Sequence, residues 1–349
     1  MAAAAAETTP ATAPTQQPRE KAISEDEAKL YDRQLRLWGA AAQARMLASN
    51  VLFAGRFRGI AVDAVKNVVL AGVGSLTLLD GEELQEEDLG ANYFAREEEV
   101  GQKRVEATAP RVQALNPRVN LSTGTNTDRL FDDDFLRQFD LVVLTDVDAP
   151  TVIAVNDITR RLGKKFMAAA SLGMDGWMFA DLLSHEFIVD KLKIVSQGET
   201  IVVPTKSTIE YAPFAKALEH KFGALKKREL KRTGTVLWGA LSLFAAQRDA
   251  TPEPVNSIKP SVEIDSAALT TAAKKLLPEL GVSEEILPAE EIDRIATLRS
   301  AEYAPSCAIV GGILGQDVLN AIGGKEEPVR NFLVFEGLTG QGRVWPMGV

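Results

Sequence analysis

The sequence predicts an α/β fold in which a parallel sheet is covered by helices on both faces. Short apolar segments recur along the chain, and segments with helical periodicity separate them at the spacing expected of βαβ units. Of the 349 residues, 46% are hydrophobic and 25% are charged, as is usual for a globular domain. This length predicts either one large α/β domain with an insertion or two modest domains.

The first half of the chain contains the strand and helix alternation. The predicted strands are 50–54, 75–79, 119–122, 139–145 and 165–170. The predicted helices are 24–49, 60–71, a stretch from the end of the acidic loop 81–88 through 118, and 151–162. This order is typical of a doubly wound, Rossmann-like sheet over residues 1–175.

The pattern changes after Gly176. Two strands are predicted there, followed by mainly helical and charged sequence and then by a return to apolar sequence. The predicted elements are strands 177–183 and 187–195, a basic helix 216–232, helices 266–280 and 307–322, and a closing hairpin of 332–335 with 342–345. We therefore divide the chain into a tail at 1–23, a Rossmann-like domain at 24–200, a mainly helical insertion at 201–300, and a return to the first domain at 301–349.

The first 23 residues are predicted to be disordered. They consist largely of Ala, Thr, Pro and Gln, and such a segment buries too little apolar surface to offset the entropy of ordering it. It does not resemble a secretory signal, since it has no long apolar stretch. Order is expected from Ser24, because Ser24 and Glu27 form a capping-box pattern at a helix start.

Composition excludes several classes of function. The net charge of −9 disfavours nucleic acid as a partner, and no apolar run is long enough to predict a membrane span. A single cysteine and two histidines predict neither a disulfide framework nor a metal site. Cys307 lies in an apolar segment and is expected to be buried, while His185 and His220 are expected to be structural.

The turn after the first predicted strand resembles a degenerate dinucleotide-binding loop. Gly55 and Gly59 are its two glycines, and Asp80 ends the next strand, where an acidic residue would bind ribose hydroxyls. Three residues between the glycines, Arg56 to Arg58, are expected to crowd the position of a phosphate. Two interpretations remain at this point, an α/β turn without nucleotide and a weakened nucleotide site.

The run Tyr31–Gly39, YDRQLRLWG, followed by a strand, a glycine turn and a helix, resembles the ThiF-type adenylation domain of ubiquitin-like-modifier activating enzymes. The resemblance covers roughly residues 25–345. It continues through SLTLLDGEELQEEDLGANYFAREEEVGQKRVEA, LNP at 115–117, FDLVVLTD at 139–146, SHEFIVDKLKIVSQG at 184–198, APSCAIVGGILGQDVLNAI at 304–322, and FLVFEGLTGQG. The chain length and the fourth and fifth of these segments are similar to the small, Aos-type subunits of the SUMO-activating branch.

The resemblance implies an activity. Members of this family condense the C-terminal glycine carboxylate of a modifier with ATP, release pyrophosphate, and pass the acyl group to a cysteine as a thioester. In heterodimeric members two related halves pair. The larger subunit then holds MgATP, the active cysteine and the modifier tail, and the small subunit completes the site. A partner of this kind, a SUMO-type modifier, and a location in the nucleus and also the cytoplasm are therefore expected.

The resemblance also implies residue roles. Arg33 matches an arginine that reaches across the interface to the ATP phosphates of the partner. Gly55, Gly59, Asp80 and Lys103 would be vestiges of a nucleotide site. The segment 92–96 replaces the usual phosphate-binding run, and Asp146 and Asp148 stand near the family's magnesium position, where Ala149 and Pro150 replace the usual Ala-Arg. ATP and Mg²⁺ are thus expected mainly on the partner, with no cofactor and no metal in this chain.

Three alternatives stay open. The first is a self-sufficient ThiF-type adenylating homodimer, which the broken glycine loop and the lack of a reactive cysteine disfavour. The second is a pure interaction scaffold, from which the role of Arg33 would distinguish this chain. The third is a nicotinamide-dependent oxidoreductase, which would need an intact G-x-G-x-x-G loop.

Overall fold

A computed structural model describes residues 21–196, 199–230, 232–251, 254–258 and 261–348. The predicted disorder of the tail falls on residues outside this set, except at its end. There the backbone N–H of Lys21 donates a hydrogen bond to the Ala44 carbonyl at 3.1 Å. The capping box at Ser24 is present, since the Ser24 and Glu27 side chains each bind the other's backbone N–H.

Helices and strands alternate through the first half, as predicted. The helices are α1 Glu25–Leu30, α2 Asp32–Leu47, α3 Gly59–Ala71, α4 Arg104–Leu115, α5 Asp133–Leu136, α6 Ala149–Arg161, α7 Phe214–Ala217, α8 Lys227–Leu230, α9 Val236–Ala250, α10 Ser266–Glu279, α11 Ala289–Leu298 and α12 Ala304–Gly323. The strands are β1 Asn50–Gly55, β2 Ser75–Leu79, β3 Asn120–Gly124, β4 Leu141–Thr145, β5 Lys165–Leu172, β6 Asp175–Asp181, β7 Ser184–Ser196, β8 Glu199–Glu210, β9 Phe332–Glu336 and β10 Gln341–Trp345.

In the described part of the chain, eight strands form the central sheet, in the order β10-β9-β6-β5-β4-β1-β2-β3. The pairs from β3 to β5 are parallel, and β6, β9 and β10 extend the sheet in antiparallel fashion. The 3-2-1-4-5 order of the parallel part is the doubly wound arrangement. The predicted α/β, Rossmann-like fold class is confirmed.

Two hydrophobic cores lie on opposite faces of this sheet. Val51 and Phe53 of β1 point to the face covered by α3, α4 and α12, and Leu52 and Ala54 point to the face covered by α6 and α9–α11. Successive side chains of a strand alternate between faces, so a central strand covered on both sides is apolar throughout. This explains why β1 and β4 were recognisable as continuous apolar segments.

The insertion covers one face of the sheet rather than standing apart. Helices α9, α10 and α11 pack on each other, and their apolar residues join the core formed by β4, β5 and β6. The predicted boundary at residue 201 falls inside β8, and the first helix after it begins at Phe214. The helical part of the insertion is therefore shorter than the sequence indicated.

Strands β7 and β8 form a separate two-stranded antiparallel ribbon. The sequence predicted a strand within β7 but not β8. In the second strand three apolar residues stand side by side at 201–203 and polar residues follow at 205–208, so it lacks the regular apolar alternation that marks a half-buried strand. Leu192 and Val202, which face each other across the ribbon, are exposed.

Two predicted helices are wrong in extent. The basic stretch 216–232 is not one helix: α7 ends at Ala217, and the described residues that follow turn until α8. Phe222 is buried, and its N–H donates to the Leu280 carbonyl at 2.8 Å. The helix expected after the acidic loop begins only at Arg104, because residues before it form two 3₁₀ turns and pair with Leu84.

The first predicted helix is two helices with a kink. Tyr31 separates α1 from α2, and Gly39 has a positive φ of 83°, which bends α2. Glycine adopts this backbone conformation without the steric penalty of a side chain. The kink sets the direction of the segment that carries Arg33.

Helix α12 has the length and apolar composition of a membrane span, but 67% of that window is buried inside the protein. It packs on α3 and α2, and two glycines permit the close approach. A Cβ at Gly311 would lie 2.5 Å from the Ile60 carbonyl oxygen, and one at Gly315 would lie 3.1 Å from that of Ala64. We therefore interpret α12 as a core helix.

Candidate functional site: a closed nucleotide turn and an exposed arginine

The turn from β1 to α3 contains the predicted nucleotide loop. Gly55 has a φ of 106°, and a Cβ there would lie 2.3 Å from the Thr145 carbonyl oxygen, so only glycine fits. Arg56 N–H donates to that carbonyl at 2.9 Å, and the Thr145 hydroxyl donates to the Arg56 carbonyl at 2.8 Å. These bonds hold the turn against the end of β4.

The three residues between the glycines were predicted to crowd the phosphate position, but their side chains turn elsewhere. Phe57 is buried in the core, and Arg56 turns to Glu82, with Nε 3.0 Å from a carboxylate oxygen. The buried Arg58 pairs with Asp88 at 2.8 Å and with Glu87 at 3.2 Å. Each side chain therefore leaves the loop for a partner of its own.

A carboxylate lies where a phosphate would bind. The Gly59 N–H, at the start of α3, donates to Glu302 Oε1 at 2.8 Å. The Glu302 side chain is only 4% exposed, and Arg58 Nε lies 3.4 Å from its second oxygen. Burial, and then the charge of Asp146, raise the pKa of Glu302 to about 7.

Asp80 ends β2 as predicted, but its carboxylate is fully engaged inside the protein. It accepts hydrogen bonds from the N–H groups of Phe57 and Glu82, both at 2.9 Å, and from the Arg104 guanidinium. Arg104 is itself buried and also pairs with Asp88 at 2.9 Å. The oxygens that would bind ribose hydroxyls are thus occupied by an arginine.

The remaining vestigial positions also act within the protein. The Asn92 side-chain amide donates to the Phe57 carbonyl at 3.1 Å and so braces the turn. Arg96 donates to the Ala95 carbonyl at 2.8 Å. Lys103 donates to the Gly81 carbonyl at 2.9 Å. Each of these three side chains thus donates a hydrogen bond to a backbone carbonyl of the protein.

Two aspartates stand near the family's magnesium position. Asp146 accepts from the Ser171 N–H at 2.9 Å and from its hydroxyl at 3.2 Å. Asp148 accepts from Gln247 and from the Val262 N–H, both at 2.8 Å. Among the residues that the structure describes, no cluster of three or more His, Cys, Asp or Glu has a metal-binding arrangement.

The cleft beside this turn is small. The cavity between Arg58, Asp146 and Arg299 has a volume of about 30 Å³, which is the space of about one water molecule. The helix start is filled by the buried Glu302 side chain, and the ribose position is filled by the buried Arg104 guanidinium. Both positions of the predicted nucleotide loop are therefore occupied by side chains of the protein.

Arg33 lies at the opposite end of α3 from this turn. Tyr31, two residues before it, packs at the C-terminal end of α3, where a Cβ at Gly72 would collide with the Tyr31 ring. Helix α3 runs from Gly59 to Ala71, about 18 Å at the rise of an α-helix. Arg33 is exposed, and within the described ranges no hydrogen bond or ion pair engages its guanidinium.

Cys307 is buried, as predicted. Its sulfur packs against the start of α3, where a Cβ at Gly59 would lie 2.8 Å from Sγ. Burial, and then the charge of Glu302, raise the pKa of the Cys307 thiol well above its usual range.

His185 is buried beside Phe187, and burial lowers its pKa to about 3. His220 accepts from the Gly348 N–H at 3.3 Å. The side chains of Cys307, His185 and His220 all occupy structural positions.

Glu302 and Arg104, the two residues that close the turn, were not among the predicted site residues. Arg104 directly follows the predicted site residue Lys103, so its position in the sequence was a local signal. Glu302 is 243 residues from its hydrogen-bond partner Gly59. No local sequence pattern predicts a contact between residues so far apart in the chain.

The sheet order and the turn define a doubly wound α/β domain in which side chains of the protein fill the turn after β1. The chain belongs to the ThiF family, whose match spans residues 31–348. It is 37% identical to "SUMO-activating enzyme subunit 1" of Xenopus laevis, over 94% of this chain and 98% of that protein. The human protein of the same name is 36% identical, over 93% and 96% of the two chains.

More distant relatives agree with this placement. "DNA damage tolerance protein RHC31" of Saccharomyces cerevisiae is 34% identical, over 91% of this chain and 96% of that protein. Among solved structures, Escherichia coli MccB with succinimide matches with a TM-score of 0.53 at 12% identity, over 91% of this chain and 71% of that one. PaaA matches with a TM-score of 0.53 at 14% identity, over 93% and 84%. The structural matches support the fold alone.

Proposed function

We propose that this chain is the small subunit of a SUMO-activating heterodimer and supports ATP-dependent adenylation of the modifier in its partner. The observation that carries this proposal is the closed turn. A ThiF-type domain with Glu302 at the start of α3 and Arg104 on Asp80 has no place for ATP. Relatives that are named as subunit 1 support a heterodimer with a second subunit. In this proposal the second subunit holds the nucleotide and Mg²⁺.

The thioester forms on the partner. Cys307 is the only cysteine of the sequence, and it is buried with a raised thiol pKa. A nucleophilic thiolate needs an exposed and electropositive position. The active cysteine therefore belongs to the larger subunit.

Arg33 acts across the interface. Arg33 is exposed near the C-terminal end of α3, whereas this chain's own turn lies at the N-terminal end of that helix. Its guanidinium therefore reaches a phosphate only in another subunit. A guanidinium stays charged and can bind two phosphate oxygens at once. In this role Arg33 stabilises the negative charge on the triphosphate during adenylation.

The partner surface includes the face formed by α2, α3 and α12. A groove of about 370 Å³ lies there, lined by Trp38, Leu70 and Gly312 among others. Leu37 and Ile309 beside it are 74% and 45% exposed. Exposed apolar residues grouped beside a groove are typical of protein interfaces. Arg33 lies one turn before Leu37, so a subunit docked here would receive it.

Co-expression with the larger subunit tests the proposal. The two chains should co-purify, and the pair should form a modifier adenylate that neither chain forms alone. Ile309→Glu should separate the subunits, whereas Leu192→Glu on the β7–β8 ribbon, a matched change at another exposed apolar residue, should not. Adenylate formation by this chain alone would instead support the self-sufficient homodimer. A nuclear location, with part of the protein in the cytoplasm, is also proposed, and imaging of the tagged full chain tests it.

A further inference from the structure

The start of α3 is a position that favours an anion. The first N–H groups of a helix have no partner within the helix, and the helix dipole adds partial positive charge there. Phosphates bind at such positions in doubly wound folds. Here the Gly59 N–H donates to Glu302 Oε1 at 2.8 Å, so a side chain of the same protein meets that need.

The fold holds Glu302 in place from three directions. Its backbone pairs with Gly173, whose N–H donates to the Ala301 carbonyl at 3.0 Å. Helix α12 begins two residues later, at Ala304. Arg58 Nε lies 3.4 Å from Oε2, and this oxygen is buried without a hydrogen-bond donor among the described residues. The backbone contacts and Arg58 together hold the carboxylate at the turn.

The charges around Glu302 disfavour the entry of a further anion such as phosphate. Arg58 faces Glu302, Asp88 and Glu87, and Asp146 lies close enough for its charge to act on Glu302. A phosphate entering this turn would therefore meet four carboxylates with one buried arginine between them. Removing Glu302 would free the Gly59 N–H and one face of Arg58 together.

We infer that Glu302 is the residue that excludes phosphate from this chain, because its carboxylate occupies the anion position at the start of α3. The inference deepens the proposed function, in which only the partner holds ATP. Glu302 thereby acts as a specificity determinant that assigns the nucleotide to one of two related halves. Arg104 on Asp80 closes the ribose side independently.

This division of labour predicts which ligand a Glu302 variant gains. Loss of Glu302 opens the phosphate position while Arg104 still fills the ribose position, so a small anion should bind and a nucleoside should not. Inorganic pyrophosphate is therefore the probe. Glu87→Ala is the matched control, since it removes another carboxylate from Arg58 but leaves the start of α3 unchanged.

Isothermal titration of inorganic pyrophosphate into the full chain, purified without its partner, tests the inference. Glu302→Ala should bind at least about tenfold more tightly than the unchanged protein, the gain expected from one charge-assisted hydrogen bond. Adding Arg58→Ala should abolish the gain, and Glu87→Ala should not reproduce it. A folded Glu302→Ala without gain, or an equal gain in Glu87→Ala, would overturn the inference.

A second variant covers the case in which Glu302→Ala does not fold. Glu302→Ser also withdraws the side chain from the Gly59 N–H but keeps a polar group at the buried position, so pyrophosphate should raise its Tm above the shift seen in the unchanged protein. An identical shift in a folded Glu302→Ser overturns the inference. These titrations involve no partner or modifier, so their failure is distinct from failure of the heterodimer to form an adenylate.

Discussion

The side-chain amide of Asn116 donates a hydrogen bond to the Tyr31 hydroxyl at 2.9 Å, inside the protein. The same amide donates to the Val69 carbonyl at 3.0 Å, near the end of α3. Two of the segments that carry the family resemblance, YDRQLRLWG and LNP, therefore meet in space. Their contact anchors the helix that presents Arg33 to the end of α3.

Tyr31→Phe should lower the free energy of unfolding by about 1 kcal/mol, the usual net value of a buried hydrogen bond. The loss stays modest because the amide keeps its bond to Val69. Urea unfolding of the purified chain measures it. Tyr93→Phe is the matched control, because the Tyr93 hydroxyl bonds at 3.3 Å to Asp63 from a half-exposed position. Equal losses in the two variants would contradict an anchoring role for Tyr31.

The isolated chain should not bind MgATP measurably. Glu302 meets the start of α3 and Arg104 engages Asp80, so neither the phosphates nor the ribose finds a free partner. Isothermal titration checks this, with the heterodimer as the positive control. Micromolar binding to the chain alone would show that the turn opens in solution.

Cys307→Ala should leave thioester formation by the heterodimer intact. The substitution removes one buried sulfur that packs on the start of α3, so a stability loss on the order of 1 kcal/mol is expected. A gel-shift assay for the modifier thioester and thermal unfolding measure the two effects. Complete loss of thioester in a folded Cys307→Ala heterodimer would refute the assignment of the active cysteine to the partner.

Asp317 should make stability fall as pH rises. Burial raises its pKa to about 7, while an unfolded aspartate titrates near its ordinary value, so the folded state binds the proton more tightly. The stabilisation is therefore complete below about pH 4 and is lost as pH rises through about 7. The loss from this group over the whole range is on the order of 4 kcal/mol.

Asp317→Asn tests that dependence, because its amide oxygen can still accept the hydrogen bond from the Val329 N–H. Unfolding free energies measured between pH 5 and 8 should slope less in the variant than in the unchanged protein. Glu302, whose pKa is also raised to about 7, contributes a slope of the same sign that remains in both proteins. Parallel slopes would mean that Asp317 is not protonated in the folded state.

The sequence predicts the sheet well because its strands are covered on both faces. Strands β1, β2 and β4 were located to within about two residues, as their apolar runs end at glycine or aspartate turns. Strand β8 was missed because it is largely exposed and lacks a regular apolar alternation. The helix predicted at 216–232 was wrong because Phe222 packs in the core. Tertiary contacts decided both of these segments.

Some residues of the candidate site could be predicted from the sequence, and others could not. Gly55 and Asp80 stand where the loop pattern places them, and Cys307 is buried as its apolar neighbours indicate. The residues that close the turn could not be predicted, since the Glu302 contact joins distant parts of the chain. The role of Arg33 stays a prediction that depends on a second subunit.

ATP–pyrophosphate exchange by the purified heterodimer with Arg33→Ala tests that role most directly. Removing a preorganised cation from a phosphate site costs roughly 2–4 kcal/mol, so exchange should slow about 30- to 1000-fold. Arg33→Lys should recover part of the rate, because an ammonium cannot bind two oxygens as a guanidinium does. Arg36→Ala, three residues along α2 where Arg36 pairs with Asp32, should leave the rate near that of the unchanged enzyme. Size-exclusion chromatography confirms that each variant remains assembled. Unchanged exchange in an assembled Arg33→Ala heterodimer would contradict the trans-acting arginine and leave this chain a scaffold.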